Sequence, residues 1–205
     1  RKADKALYLA KEKGKNRHII YEERLHGKLE TDDMQNMAMA YAVSKEKKRE
    51  VVTEMITGIC LSGVESVVNN PEKLQQIRSL FDLDGITIFS DRGEKLVCRN
   101  GNYMVEAPDG RPGFEDEKYL ALFGGDDIFI ESNMVKLRSQ NPSAYAVTQK
   151  QEIGAALQCL SRREGNPYAM VNYEVFNRNR KWSDEDVTLL TVLGHCIGNL
   201  LCCAQ

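Results

Sequence analysis

Gly154-Ala-Ala-Leu-Gln-Cys-Leu160 and Tyr168-Ala-Met-Val-Asn-Tyr-Glu-Val-Phe176 are two β-prone runs separated by Arg162-Arg-Glu-Gly-Asn-Pro167. A turn-rich connector between apolar runs is the pattern of a β-hairpin. Side chains alternate between the two faces of a strand, so Ala156 and Gln158 share one face, and Met170 and Asn172 share one in the partner. Directly afterwards Trp182-Ser-Asp-Glu-Asp186 opens a helix. Ser183 is the N-cap, acidic residues complement the positive helix end, and Asp186 takes the capping-box position with a shorter carboxylate. Val187, Leu190, Leu193, Ile197 and Leu200 supply the apolar face of that helix.

Working back from the hairpin, Gly85-Ile-Thr-Ile-Phe-Ser-Asp-Arg-Gly93 reads as a strand ended by a turn, with Glu94 to Asn100 returning. Thr87 and Phe89 lie on one face of it, opposite Ile86 and Ile88. Pro71 stands where a helix begins, with Leu74, Ile77, Leu80 and Phe81 on one side. Val51 to Val68 forms a strongly apolar helix, and residues 22–46 form a polar connecting helix with Met34, Met37 and Tyr41 at i, i+3 and i+7. After Gly101 come a short strand at Asp127–Ile130 and a short helix at Met134–Gln140, closed by Asn141-Pro142. The expected fold class is α+β: an antiparallel sheet with the N- and C-terminal helices packed on one face and residues 101–150 over the other.

The 205 residues are 42% hydrophobic and 28% charged, the balance of a globular chain rather than a disordered tail. The longest mostly apolar run, Val187 to Cys203, is broken by Thr191, His195 and Asn199 and is too short for a bilayer span. With no signal peptide and Arg1 in place of Met, the chain reads as a cytoplasmic piece of a longer polypeptide. Net charge is −2, unevenly spread. Residues 1–28 carry nine Lys or Arg against four Asp or Glu, and the rest carries nineteen against twenty-six. An acidic body is a poor partner for nucleic acid. The six cysteines form no CxxC pair and show no ligand spacing to His18, His26 or His195, so buried reduced thiols are expected and zinc is not. No Gly-x-Ser-x-Gly, P-loop or HExxH occurs, and no cofactor is identifiable. No enzyme activity is expected of this chain by itself.

Ala3-Asp-Lys-Ala-Leu-Tyr-Leu-Ala-Lys-Glu-Lys-Gly-Lys-Asn-Arg17, followed by His-Ile-Ile-Tyr21, reads as a capped helix stopped at Gly14 and a short strand. The string resembles the C-terminal end of a GGDEF (diguanylate cyclase) domain, ADxALYxAKxxGRN followed by an apolar strand. The resemblance implies that residues 1–28 are the remnant of such a domain. It also implies that Lys11 and Lys15 stand where that family contacts substrate phosphates, Lys15 in place of the usual Arg. The rest of such a domain is absent upstream, so in this chain by itself the two side chains are read as solvated lysines. A second motif, Phe123-Gly-Gly-Asp-Asp-Ile-Phe129 with Asp82-Leu-Asp84 upstream, resembles the family's signature hairpin and metal carboxylates. The stretch between them, however, holds Gly93, Gly101, Gly110, Gly113, Pro108 and Pro112, where a cyclase has a long helix. A degenerate cyclase domain is therefore only an alternative.

Residues 47–205 resemble a GAF domain, a PAS-like sensor module, in the order of elements, in Ile77-Arg-Ser-Leu leading into Gly85-Ile-Thr-Ile, in the final hairpin and in the Trp182 cluster. Residues 29–46 are then a helical linker. The resemblance implies a small-ligand site on the sheet face beneath residues 101–150, where Thr87, Phe89, Gln158, Met170 and Asn172 would converge as a mostly apolar pocket with a few polar groups. The other reading leaves Gln158 and Asn172 facing solvent on an uncovered face. Bilin attachment in related domains uses a Cys beside a His in the inserted segment, and residues 101–150 contain neither. The cyclic-nucleotide constellation Asn-Lys-Phe-Asp-Glu is matched only by Trp182 and Asp186, with Val187 at the Glu position. The expected function is a regulatory sensor and dimerisation module of a multidomain bacterial cyclic di-GMP signalling protein. It would pair as a homodimer through its terminal helices and relay ligand or partner binding to neighbouring domains. The alternative is a purely structural dimerisation scaffold.

Overall fold

The computed structural model describes Ala6, Ile20, Glu22 and residues 31–90, 95–99, 102–106 and 116–203. Lys11, Lys15 and nearly all of the cyclase-like string lie outside these. The chain divides into two compact units, Arg1–Lys47 and Lys48–Gln205. The elements that follow belong to the second, apart from the beginning of the first helix.

Helix α1 runs Thr31–Ser62. Separate helices over 22–46 and 51–68 were expected, and the break falls instead at Gly63. The charge-dense Lys45–Glu50 contains no helix breaker, whereas Gly63 adopts a left-handed φ of 84° and donates its N–H to the Ile59 carbonyl at 2.9 Å. Short α2 (Glu65–Val68) follows, then α3 (Pro71–Leu80), capped by Asn70 Oδ1 accepting from Lys73 N.

Strands β1 (Gly85–Ser90), β2 (Lys95–Arg99) and β3 (Asn102–Glu106) form a meander. Helix α4 (Glu117–Leu120), β4 (Ile128–Glu131), a 3₁₀ turn (Met134–Lys136), α5 (Leu137–Gln140) and α6 (Pro142–Lys150) come next. The hairpin is β5 (Ile153–Arg163) and β6 (Asn166–Phe176), and α7 (Asp184–Cys203) closes the chain. The hairpin loop is tighter than expected: only Glu164 and Gly165 turn, at φ 52° and 84°. Positive φ at both central residues matches the twist of the flanking strands. All pairings are antiparallel, in the order β3-β2-β1-β6-β5-β4.

Alternation divides the buried residues into two cores. On one face Ile86, Ile88, Leu157, Cys159, Val171 and Tyr173 pack with Val51, Met55 and Ile59 of α1, Leu74 and Ile77 of α3, and Leu190, Leu193 and Ile197 of α7. On the other, Ala156, Leu160 and Met170 pack with Phe123, Phe129, Met134 and Leu137 from the inserted segment. Helix α7 approaches the hairpin closely through two glycines. A Cβ on Gly194 would stand 2.6 Å from Cys159 Sγ, and one on Gly198 would stand 2.3 Å from Ser161 Oγ.

The end of α3 and the starts of α1's packed part and α7 are tied by charge. Asp186 Oδ1 accepts from Lys48 Nζ at 2.5 Å, and Asp186 Oδ2 accepts from Arg180 Nη2 at 3.0 Å. Arg180 also donates to the Phe81 and Asp82 carbonyls and lies over the Trp182 ring at 4.3 Å. Ser183 Oγ accepts from Asp186 N, the capping bond expected of it.

The cyclase-like Gly124–Asp127 stretch is a turn leading into β4, with Asp127 accepting from Arg162 Nε at 2.7 Å. Asp84 Oδ2 accepts from Phe176 N and Arg178 Nη2. These carboxylates hold chain segments together, and the antiparallel sheet is not a nucleotidyl-transferase topology. Nor are all the thiols buried: Cys98 and Cys159 are, Cys196 is half-buried and Cys60 is exposed on α1. No helix is long and apolar enough to cross a membrane among the described residues.

Candidate functional site

Three cross-strand rows make the floor of a cavity on the face away from α1 and α7. Thr87 pairs with Asn172, which pairs with Gln158; Phe89 pairs with Met170, which pairs with Leu160. In the third row Glu174 lies between Gly85 and Ala156, whose small size leaves room above the strand. Helix α6 and the start of α4 form the walls. Asn141 Oδ1 caps α6 by accepting from Ala144 N, and Pro142 fits its first turn. Ala144, Val147 and Thr148 then face the floor. Asp116 caps α4 by accepting from Lys118 N and Tyr119 N, which orients Tyr119 over the sheet.

The cavity has a volume of about 160 Å³. A cavity of about 150 Å³ accommodates a benzene-sized molecule. Phe89, Gln158, Met170 and Asn172 line it, together with Tyr119, Asp116 and Glu174. Thr87 does not reach it; that side chain is fully buried beneath, at 0% exposure. Gln158 and Asn172 are each 5% exposed, so neither faces open solvent.

Tyr119 donates its hydroxyl proton to Gln158 Oε1 at 2.5 Å, and its ring packs edge-on against Phe123 and Phe129. Burial pushes the Tyr119 hydroxyl well above the usual phenol range, and the charges of Glu174 and Asp116 raise it further. Asn172 Oδ1 and Thr87 Oγ1 are buried without a hydrogen-bond partner among the described residues. Such groups are uncommon in folded proteins.

Alternation along β6 carries the floor two residues further, to Glu174, which the sequence reading passed over although it shares the face of Met170 and Asn172. Asp116, Tyr119 and the α6 residues were missed because α4 and α6 were not expected. Asn141-Pro142 reads as a stop and is also a restart, the cap and first residue of α6. The Trp182 aromatic–acidic cluster is not part of the cavity: Asp186 is held by Lys48 and Arg180.

Known protein families give no match to the sequence, and curated proteins give none. Solved structures do match in fold. The chromophore-binding domain of a Stigmatella aurantiaca bacteriophytochrome aligns over 78% of this chain with a TM-score of 0.56 and 14% identity. The chromophore-binding domain of a bacteriophytochrome from R. palustris aligns over 77%, with a TM-score of 0.53 and 12% identity. The chain spans 61% and 62% of those two domains. A third protein, described in its far-red-absorbing dark state with bound biliverdin IXa, aligns over 74% of this chain and 97% of its own, with a TM-score of 0.50 and 17% identity. At these identities the likeness is one of fold. Biliverdin itself does not fit the residues here: the cavity is of single-ring size, and its described lining has no Cys or His to attach or contact a tetrapyrrole and no cation for its carboxylates. With its six-stranded antiparallel sheet, helices α1 and α7 on one face and a cavity on the other, the Lys48–Gln205 unit has the α+β fold of GAF type.

Proposed function

We propose that this unit is a non-catalytic sensor module that binds a small molecule between the sheet and α6. The observation that carries the reading is a mostly apolar cavity between the sheet and α6 whose floor includes the buried polar side chains Gln158 and Asn172. Residues of one strand connect the two faces: Met170 and Asn172 meet the cavity, while Val171 and Tyr173 between them pack against the helix side. Ligand contact on β6 thereby biases the packing of α7, and a change in helix rotation passes to neighbouring domains. Leu61 on α1 and Val192 on α7, 80% and 50% exposed, support pairing of two copies through these helices.

The similarity of residues 3–21 to the end of a GGDEF domain supports placing the unit in a bacterial cyclic di-GMP signalling protein, after a cyclase domain to which residues 1–28 belong and a linker at 29–46. There Lys11 and Lys15 contact substrate phosphates. A longer gene product carrying the preceding segment should convert GTP to cyclic di-GMP, and failure to bind GTP with Mg²⁺ would remove that placement.

The sensor reading is tested by a thermal-shift screen of small metabolites against the wild type and Val147→Trp. Val147 is 49% exposed at the cavity wall, so a larger side chain there closes the space without disturbing the core. A metabolite that raises Tm in a saturable way only in the wild type supports the reading. Equal shifts in both proteins, or none with any metabolite, leave a dimerisation scaffold.

A further inference from the structure

We infer that Cys60 on α1 and Cys196 on α7 are an oxidative modification site, a thiol pair that a hydroperoxide converts into a reversible disulfide between the two helices. Arg49 Nε donates to Glu185 Oε1 at 2.8 Å, an ion pair joining residues 136 positions apart on these same helices. Cys60 and Cys196 have the same separation in sequence and lie eleven residues further along each helix. Eleven residues are about three turns, so each cysteine stands on the helix face that carries the ion pair. Both helices run unbroken from one pair to the other. Ile59 and Ile197, each next to one of the cysteines, belong to one core. The Cys196 thiol is pushed up first by burial and then by the charge of a Cys60 thiolate, so the two sulfurs lie within electrostatic reach of each other.

Both thiols are free, but Cys60 is exposed and Cys196 is half-buried. Access therefore sets the order of reaction. The Cys60 thiolate attacks one oxygen of hydrogen peroxide, the O–O bond breaks, and sulfur is oxidised to a sulfenic acid as water leaves. The Cys196 sulfur then attacks the Cys60 sulfur. The S–O bond breaks, the S–S bond forms, and the departing hydroxide takes the Cys196 proton to become a second water. Two thiols and one peroxide become one disulfide and two waters. Burial suits Cys196 to this second, resolving step, because desolvation disfavours its thiolate until the partner sulfur is activated. Cys98 and Cys159 are buried away from the oxidant.

The test treats the reduced full chain with hydrogen peroxide, alkylates the remaining thiols and maps tryptic peptides by mass spectrometry without reduction. Peptide 50–73 carries Cys60 alone, and peptide 182–205 carries Cys196 with Cys202 and Cys203. Fragment spectra are expected to join Cys60 to Cys196 in most molecules, and dithiothreitol to restore both thiols. In urea the same link should fall about fivefold, towards the share that random pairing of six cysteines gives. Cys196→Ala should leave Cys60 as a sulfenic acid that dimedone traps. Three results overturn the inference: a Cys60 bond to Cys202 or Cys203, a bond to a second copy seen as doubled mass on a non-reducing gel, or an unlinked Cys60. Equal yields with and without urea overturn it too, since the fold would then contribute nothing to the pairing.

Discussion

Tyr119 and Gln158 make a side-chain bond from the cavity wall to its floor, across 39 positions of sequence. Removing the donor while keeping the ring isolates what that bond contributes. Tyr119→Phe leaves Gln158 Oε1 buried without its partner, and an orphaned buried acceptor costs about 1–3 kcal/mol. Urea denaturation should show a midpoint shift of that size with an unchanged slope. Tyr119→Phe with Gln158→Leu removes both polar partners and should recover part of the loss. An undiminished midpoint in Tyr119→Phe would mean that the wall is not anchored by this bond.

At the scale of elements, the seating of α7 depends on glycines at two successive turns. Ala in place of Gly198 gains about 1 kcal/mol of helix propensity. It also places a methyl group 2.3 Å from Ser161 Oγ, and overpacking of that kind costs about 1–3 kcal/mol. Gly198→Ala should therefore lower stability in a chemical denaturation experiment. Ser161→Ala should be close to neutral, because the hydroxyl it deletes is buried and unpartnered among the described residues. Combined, the two changes should be less harmful than Gly198→Ala alone, a coupling that a double-mutant cycle reads directly. Strict additivity would show that α7 adjusts elsewhere.

Across the whole molecule, several weak acids are buried in their neutral forms on the helix side of the sheet. Burial pushes the Cys159 thiol up to about 12, with the Thr191 side chain opposing it, and pushes the Tyr173 hydroxyl well above the phenol range. Their unfolded-chain values are 9.0 and 10.0. Below about pH 9 both states hold these protons and stability is unaffected. Above about pH 9 for Cys159 and about pH 10 for Tyr173 the unfolded chain releases protons that the folded chain retains, so stability falls as pH rises, by up to about 1.4 kcal/mol per pH unit for each such group. Thermal unfolding followed from pH 8 to 11 should show Tm declining beyond pH 9, less steeply in Cys159→Ala and in Tyr173→Phe. Identical slopes in wild type and variants would assign the alkaline loss to other groups.

Local chemistry was enough for the hairpin, the helix start at Pro71, the cap at Ser183 and the facing of Thr87, Phe89, Gln158, Met170 and Asn172, since turn preference and strand alternation act over a few residues. It was not enough for α4 and α6. Glu117–Leu120 is a single turn, and Asn141-Pro142 serves two helices at once, so neither has a periodicity long enough to stand out in sequence. The continuity of α1 to Gly63 was also hidden, because a run of charges marks a linker and an exposed helix face equally well. What the chain alone determined is which side chains share a face of the sheet. Only the tertiary structure decided that one face is roofed by Tyr119 and α6 while the other is filled by α1, α3 and α7, because residues far apart in sequence meet through packing that no short stretch encodes.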